Sequence, residues 1–100
     1  MQTFGPWLKQ ARKAAGLTQQ DLADAARIDN TTVSHIEADR ITGISEPTLL
    51  AFAELLQLDR DETLLRAGKL PFWFKGAVLQ LTPEQYREVA ALVRRLMPRE

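Results

Sequence analysis

The chain has 100 residues, of which 45% are hydrophobic, and it contains no cysteine. This length suits one small domain with a single core, and the lack of cysteine excludes disulfides, thiolate metal ligands and a cysteine nucleophile. Thirteen basic residues balance thirteen acidic ones, so the composition lacks the positive excess typical of a nucleic-acid-binding protein. No apolar run is long enough to cross a membrane and no secretory signal is recognisable, so we expect a cytoplasmic protein that does not contact membranes.

The first predicted helix begins at Gly5-Pro6, because proline is accommodated in the first helical turn. Leu8, Ala11 and Ala15 follow at helical spacing and are expected to form its buried face. Gly16 is predicted to end this helix, since glycine adopts the left-handed conformation at low cost.

Two short helices are predicted within residues 18–37. Thr18 is suited to cap the first and Asp29 the second, because a side-chain oxygen at that position accepts a backbone N–H left free at the helix start. A break of about three residues makes the helices cross steeply, and the small side chain of Ala23 permits their close approach. Val33 and Ile36 mark the buried side of the second helix. This is a helix-turn-helix arrangement, whose second helix is shaped to enter the major groove of DNA.

Two further helices are predicted to pack on this pair. The fourth begins at Glu46-Pro47, with Leu50 flanking its apolar stripe. The stripe consists of Leu49, Phe52, Ala53 and Leu56. Residues 59–62 indicate a capping box for a fifth helix, which would turn Leu64 and Leu65 inward and stop at Gly68.

The run from Leu8 to Arg40 resembles the lambda-repressor-like helix-turn-helix family, also known as the Xre or Cro/repressor family. The matching positions include Leu8, Arg12, Gly16-Leu17, Thr18-Gln19, Leu22-Ala23, Ile28, Val33-Ser34, Ile36-Glu37 and Leu49-Leu50. Residue type and spacing agree over five successive helices, from roughly residue 4 to residue 68. The resemblance implies an all-α fold. Residues 1–70 would form a five-helix DNA-binding domain, and residues 71–100 an extension with an additional C-terminal helix.

The resemblance also implies a set of contacts with double-stranded DNA. The base-reading positions fall on Asn30, Thr31, Ser34 and His35. The positions that touch the DNA backbone fall on Gln19 and Thr32. Asparagine can bond adenine through two hydrogen bonds, and threonine can offer its methyl group to thymine. In the loop over residues 39–45, Arg40, Thr42 and Ser45 are candidates for phosphate contacts, and a plain surface loop is an equal alternative.

Arg12 and Glu37 match positions that the family commonly joins in an ion pair, so we expect them to tie the first helix to the end of the third. If the pair is buried, removing one partner would cost about 3–5 kcal/mol. Two residues depart from the family pattern. Arg27 stands where a glycine usually makes a left-handed turn, so either the turn differs slightly or the chain accepts a strain of roughly 1–2 kcal/mol. Asp29 places a carboxylate near the phosphates, where Ser or Thr is usual.

Beyond Pro71 the resemblance ends. The aromatic run Phe72-Trp73-Phe74 is expected either to cover the five-helix core or to contact another copy of the chain. Residues 75–81 are consistent with an extended segment or a short turn. Thr82-Pro83, with Gln85, predicts the start of a helix that continues to about Met97. Its apolar face is able to pack within the monomer or across a twofold axis, and we favour the second. The expected dimer-interface residues are Phe72, Trp73, Phe74, Tyr86, Val89, Val93 and Leu96.

The sequence therefore suggests a homodimeric, sequence-specific repressor of transcription that occupies an inverted-repeat operator. The alternative is a protein-interaction module, such as an antitoxin, that holds a partner protein through its C-terminal segment. Ser34, His35, Glu37 and Asp39 do not suggest an enzyme, because successive helical side chains point about 100° apart and cannot converge on one atom. His35 lacks a second ligand at metal-binding spacing, so we expect no metal ion and no other cofactor.

Overall fold

The computed structural model describes residues 2–98, so Met1 and Arg99-Glu100 of the predicted ranges lie outside the described part of the chain. Over this range the chain forms helices and no strand, and the predicted all-α fold is confirmed. The helices are α1 (Phe4–Ala14), α2 (Gln19–Ala26), α3 (Asn30–Glu37), α4 (Glu46–Leu56), α5 (Arg60–Arg66), α6 (Phe72–Leu79) and α7 (Pro83–Leu96).

One hydrophobic core lies among the first five helices, where α2 packs on α3 and α4, α1 packs on α3, and α5 packs on α4. Its buried side chains include Leu8, Leu22, Val33, Ile36, Phe52 and Leu56. All four residues of the predicted α4 stripe are buried, and Leu50 flanks them as expected. Two predicted core positions are wrong: Ala15 is exposed because it follows the last turn of α1, and Leu65 is exposed because α5 turns Thr63 and Leu64 to the core instead.

Side-chain caps fix where most of these helices begin. Thr18 accepts a hydrogen bond from the Asp21 backbone N–H, and the Asp21 carboxylate accepts from that of Thr18, which confirms the predicted cap. Asp29 occupies the capping position of α3, but its exposed carboxylate accepts no backbone N–H, so its predicted capping bond is wrong. Asp59 caps α5 without completing a capping box, because the Glu62 carboxylate accepts a hydrogen bond from Arg66 instead.

The turn between α2 and α3 is left-handed at Arg27, so of the two alternatives the chain accepts the strain. Arg27 has φ 56° and ψ 47°, although it carries a side chain where the family pattern has glycine. Its backbone N–H donates to the carbonyls of Ala23 and Asp24, and that of Ile28 donates to Ala23. These bonds close the end of α2 and offset part of the strain at Arg27.

Gly5 is the point at which α1 meets the end of α3. Its backbone N–H donates to Asp39 Oδ1 at 2.8 Å, and the Thr3 hydroxyl donates to the other carboxylate oxygen of Asp39. A Cβ atom at Gly5 would lie 2.5 Å from the carbonyl oxygen of Ile36 and 2.6 Å from that of Glu37. These contacts are with backbone atoms, which cannot turn aside as a flexible side chain can.

Replacing Gly5 by alanine should therefore lower the free energy of unfolding by about 1–3 kcal/mol, because α1 and α3 would have to separate. Denaturant titration followed by circular dichroism measures this change. Gly76→Ala in α6 is the matched control, since a Cβ there meets open space. It should be neutral or stabilising by about 0.5–1 kcal/mol. Equal effects of the two substitutions would contradict the close approach at Gly5.

The last two helices differ from the first five because neither contains a fully buried residue. The aromatic run begins α6, so residues 75–79 are helical where the sequence suggested an extended segment or a turn. The predicted start of α7 is confirmed: Thr82 and Gln85 form a reciprocal capping box. Phe72 is 77% exposed and Trp73 is also exposed, so within one chain the aromatic run does not cover the core.

Candidate nucleic-acid interface

The recognition edge is the outward side of α3, formed by Asn30, Thr31, Thr32, Ser34 and His35. Asn30, Thr31 and Ser34 are exposed, and Thr32 and His35 are half-buried. On the opposite side of the same helix, Val33 and Ile36 are buried in the core. This division follows from the helical period, and it fixes α3 to the domain while leaving its polar edge accessible.

The end of α3 is held by a buried ion pair. Arg12 Nε lies 2.7 Å from Glu37 Oε2, and Arg12 Nη2 lies 3.0 Å from Glu37 Oε1. Arg12 is only 8% exposed and Glu37 only 5%. A third donor, Arg12 Nη1, bonds the carbonyl of Leu17 just before α2. One arginine of α1 therefore joins α3 to the segment that leads into α2.

Gln19 completes this network. Its side-chain nitrogen donates to Glu37 Oε1 at 3.0 Å, and the residue is half-buried. The resemblance placed Gln19 at the DNA backbone, whereas in the structure its side-chain nitrogen is bonded to the Glu37 carboxylate. The reason is that the Glu37 carboxylate has lone pairs that Arg12 alone does not fill. A phosphate contact by Gln19 would use its remaining amide hydrogen or its backbone N–H.

The network shifts the acid–base properties of both charged partners. Burial alone disfavours the charged Glu37 carboxylate, but hydrogen bonds from Arg12 and Gln19 and the positive charge of Arg12 outweigh it. The pKa of Glu37 is therefore lowered from its ordinary value. The hydrogen bond to Glu37 raises the pKa of Arg12 in turn. Both residues are charged at neutral pH.

A pH dependence of stability follows from the lowered pKa of Glu37. The unfolded chain holds a proton on this carboxyl more tightly than the folded chain does. The pair's contribution is thus fully present above the ordinary pKa of 4.5 and is lost as the pH falls through the lowered folded-state value. Denaturant titrations between pH 7 and pH 3 should show a loss of stability that is smaller in Glu37→Gln. An equal loss in both proteins would contradict this assignment.

The loop after α3 holds the remaining predicted DNA contacts. Arg40 and Thr42 are exposed and lie beyond the end of the recognition edge. The Ser45 hydroxyl instead caps α4, where it accepts from the Thr48 backbone N–H and donates to the Thr48 hydroxyl oxygen. The Ser45 hydroxyl is therefore engaged by Thr48. Of the three predicted phosphate contacts in this loop, Arg40 and Thr42 remain as candidates.

Gln20, which is bonded to Asp24 on the same helix, makes a contact with α3 that we did not predict from the sequence. Gln20 Nε2 donates to Asp24 Oδ1 at 2.8 Å, and Gln20 Oε1 accepts from Asn30 Nδ2 at 3.2 Å. The signal available in the sequence was the spacing, since glutamine and aspartate four positions apart on a helix pair readily. The bond from Asn30 to Gln20 links the first residue of the recognition helix to the second residue of α2.

A family model for the helix-turn-helix matches residues 8–62, more than half of the chain. The chain belongs to the helix-turn-helix family. This membership confirms the lambda-repressor-like resemblance and makes the chain a DNA-binding regulator of transcription. Within the described range, this helix-turn-helix protein has no helix long and apolar enough to span a membrane.

Among solved structures, this helix-turn-helix protein is similar to a chain of a SinR protein/SinI protein complex. The TM-score is 0.57 at 22% sequence identity, and the alignment covers 92% of this chain and 95% of the other. At this identity the likeness concerns the fold alone. A comparison with curated proteins found no match.

Proposed function

We propose that this helix-turn-helix protein is a homodimeric repressor that binds an inverted-repeat operator in a sequence-specific manner. The observation that supports this proposal is the recognition edge, whose polar side chains are accessible while Val33 and Ile36 anchor the helix. Each monomer inserts α3 into a major groove, and the two half-sites lie about one helical turn apart. Repression follows from steric exclusion of the polymerase.

The charge distribution makes dimerisation important for binding. Residues 1–45 carry five basic and five acidic side chains, and the buried Arg12–Glu37 pair removes one of each from the surface. A monomer with so little positive field gains little from neutralising phosphates. Its contacts come mainly from amides, hydroxyls and backbone N–H groups. Joining two such monomers makes the second binding event intramolecular and raises the affinity without any new contact.

The C-terminal segment offers the surface for this dimer. A groove of about 370 Å³ lies between α6 and α7. Its apolar lining consists of Leu70, Phe74, Val78, Leu79, Tyr86, Val89, Ala90 and Val93. Three further apolar side chains, those of Leu92 and Leu96 on α7 and of Met97 just after it, are also exposed. We propose that a second copy covers this surface, through the interface residues Phe72, Trp73, Phe74, Tyr86, Val89, Val93 and Leu96.

The size and shape of the single chain support a second copy of the chain as the partner that covers this surface. Its radius of gyration is 16.0 Å, whereas a compact domain of 100 residues has one of about 12.7 Å. Its accessible surface is 7440 Å², about 1,700 Å² more than the roughly 5,700 Å² of a compact 11.3 kDa monomer. A stable interface buries about 800 Å² on each partner. The excess surface is thus enough for one dimer contact.

Selection of bound duplexes from a random pool tests the proposal. We expect an enriched palindrome whose half-site centres lie about 10–11 base pairs apart. Affinity for that duplex should fall as salt rises from low to moderate concentration, because phosphate contacts release counterions. Recovery of no preferred sequence, or salt-independent binding, would contradict the proposal.

The second candidate function is a protein-interaction module that holds a different protein through the aromatic run Phe72-Trp73-Phe74 and α7. The near-neutral charge favours it, and the similar solved chain occurs in a complex of two different proteins. Light scattering on the purified chain separates the two candidates. A mass of twice 11.3 kDa supports the homodimer. A monomer without duplex affinity, which co-purifies with a heterologous protein until Trp73→Ala is introduced, supports the module.

A further inference from the structure

We infer that Gln20, held in one orientation by Asp24, positions Asn30 to read adenine in the major groove. This inference rests on the proposed function, and it assigns a role to two residues of α2 that lie outside the recognition helix. The relay, as we call the set Asp24, Gln20 and Asn30, consists of the 2.8 Å bond from Gln20 to Asp24 and the 3.2 Å bond from Asn30 to Gln20.

The chemistry of Asp24 fixes the direction of both bonds. An ionised carboxylate accepts hydrogen bonds and donates none, so the NH₂ group of Gln20 has to face it. The oxygen of the same amide then faces α3. An oxygen can only accept, so Asn30 has to offer its own NH₂ group. One negative charge on α2 therefore sets the orientation of a side chain on α3.

The orientation leaves Asn30 with a defined pair of free groups. One Nδ2 hydrogen is used by Gln20, and Oδ1 and the second hydrogen remain available. Adenine presents an amino donor at N6 beside an acceptor at N7, which match these two groups. Guanine presents two acceptors in that place, so one of them would face Oδ1 without a proton.

Fixing Asn30 before binding also lowers the cost of ordering it. A free exposed asparagine loses rotational freedom when it meets a base, and this loss weakens binding. Asn30 in the relay has already lost part of that freedom. The benefit is largest for the base whose donor and acceptor match the held orientation, so the relay contributes to specificity as well as to affinity. Gln20 and Asp24 are thus positioning residues.

The test uses the full chain and the duplex recovered by selection, with single base-pair changes at every half-site position. Asn30→Ala should reduce the preference for adenine at one base pair by about tenfold. Gln20→Ala and Asp24→Asn should reduce the preference at that same base pair by roughly threefold and leave the other positions unchanged. Asp24→Glu, which keeps an acceptor-only carboxylate, should retain the preference. Glu54→Gln on α4 controls for the loss of one negative charge.

The outcomes distinguish a failure of the relay from a failure of the proposed function. If the wild-type chain prefers no base at any position, the proposed function fails and the relay fails with it. If Asn30→Ala removes one preference while Gln20→Ala and Asp24→Asn remove none, the function stands and the relay is overturned. Equal changes for all three variants at every position also overturn it. As a measurement without DNA, the side-chain amide signals of Asn30 in nitrogen-15 spectra should shift in Asp24→Asn and stay in place in Glu54→Gln.

Discussion

Replacing Arg12 by alanine should lower the free energy of unfolding by about 3–5 kcal/mol. The substitution leaves the Glu37 carboxylate, which is 5% exposed, without its counter-charge and with Gln19 as its remaining side-chain donor. A small domain has about 5–15 kcal/mol of stability in total, so the substitution would remove a large share of it. Denaturant titration followed by circular dichroism measures the loss.

Two controls distinguish a buried ion pair from an exposed one. The double variant Arg12→Met with Glu37→Leu should recover most of the lost stability, because it removes both charges from the buried site. Glu62→Gln breaks the half-exposed pair between Glu62 and Arg66 on α5, and it should cost no more than about 0.5 kcal/mol. An Arg12→Ala variant as stable as Glu62→Gln would show that the pair does not tie the first three helices together.

Replacing Val93 by aspartate should convert the dimer to a monomer and weaken operator binding by about 100-fold. Val93 lines the groove between α6 and α7 and is 49% exposed in the single chain. A carboxylate there stays hydrated in the monomer, so folding is preserved. In the dimer the same group would lose its hydration against an apolar surface. Light scattering gives the mass, and band-shift titration gives the affinity for a palindrome and for a single half-site.

The matched control is Ala91→Asp, which adds the same charge on an exposed turn of α7 outside the groove lining. It should remain dimeric and bind the palindrome like the wild-type chain. The Val93→Asp variant should bind a single half-site as weakly as the wild-type chain does. A dimeric Val93→Asp, or identical behaviour of the two variants, would contradict the proposed interface.

The sequence predicted best those features that depend on neighbouring residues. Thr18 and Thr82 cap helices as expected, and the α4 stripe is buried as expected, because caps and helical periods act within a few residues. The helix α6 was not predicted. It has an aromatic start, a glycine at Gly76 and no side-chain cap, since Pro71 precedes it. Local signals were therefore weak there.

In the candidate site too, some features follow from neighbouring residues and others do not. The outward direction of Asn30, Thr31 and Ser34 follows from the burial of their neighbours in α3. The pairing of Arg12 with Glu37 joins residues that are 25 positions apart, and only the family resemblance brought them together. The spacing of four residues could have indicated the bond from Gln20 to Asp24, since both lie on α2. The bonds that join Gln19 to Glu37 and Asn30 to Gln20 could not be predicted, because they depend on how α2 lies against α3.

The most direct test of DNA binding by the recognition edge is a titration of the variant Asn30→Ala with Thr31→Ala. Against the duplex recovered by selection, we expect its affinity to fall by at least about tenfold. Its affinity for an unrelated duplex should change little, since phosphate contacts remain. The variant Gln10→Ala, which changes an exposed residue of α1, should bind as the wild-type chain does. Unchanged affinity of the double variant for the selected duplex would contradict the assignment of α3 as the helix that reads DNA.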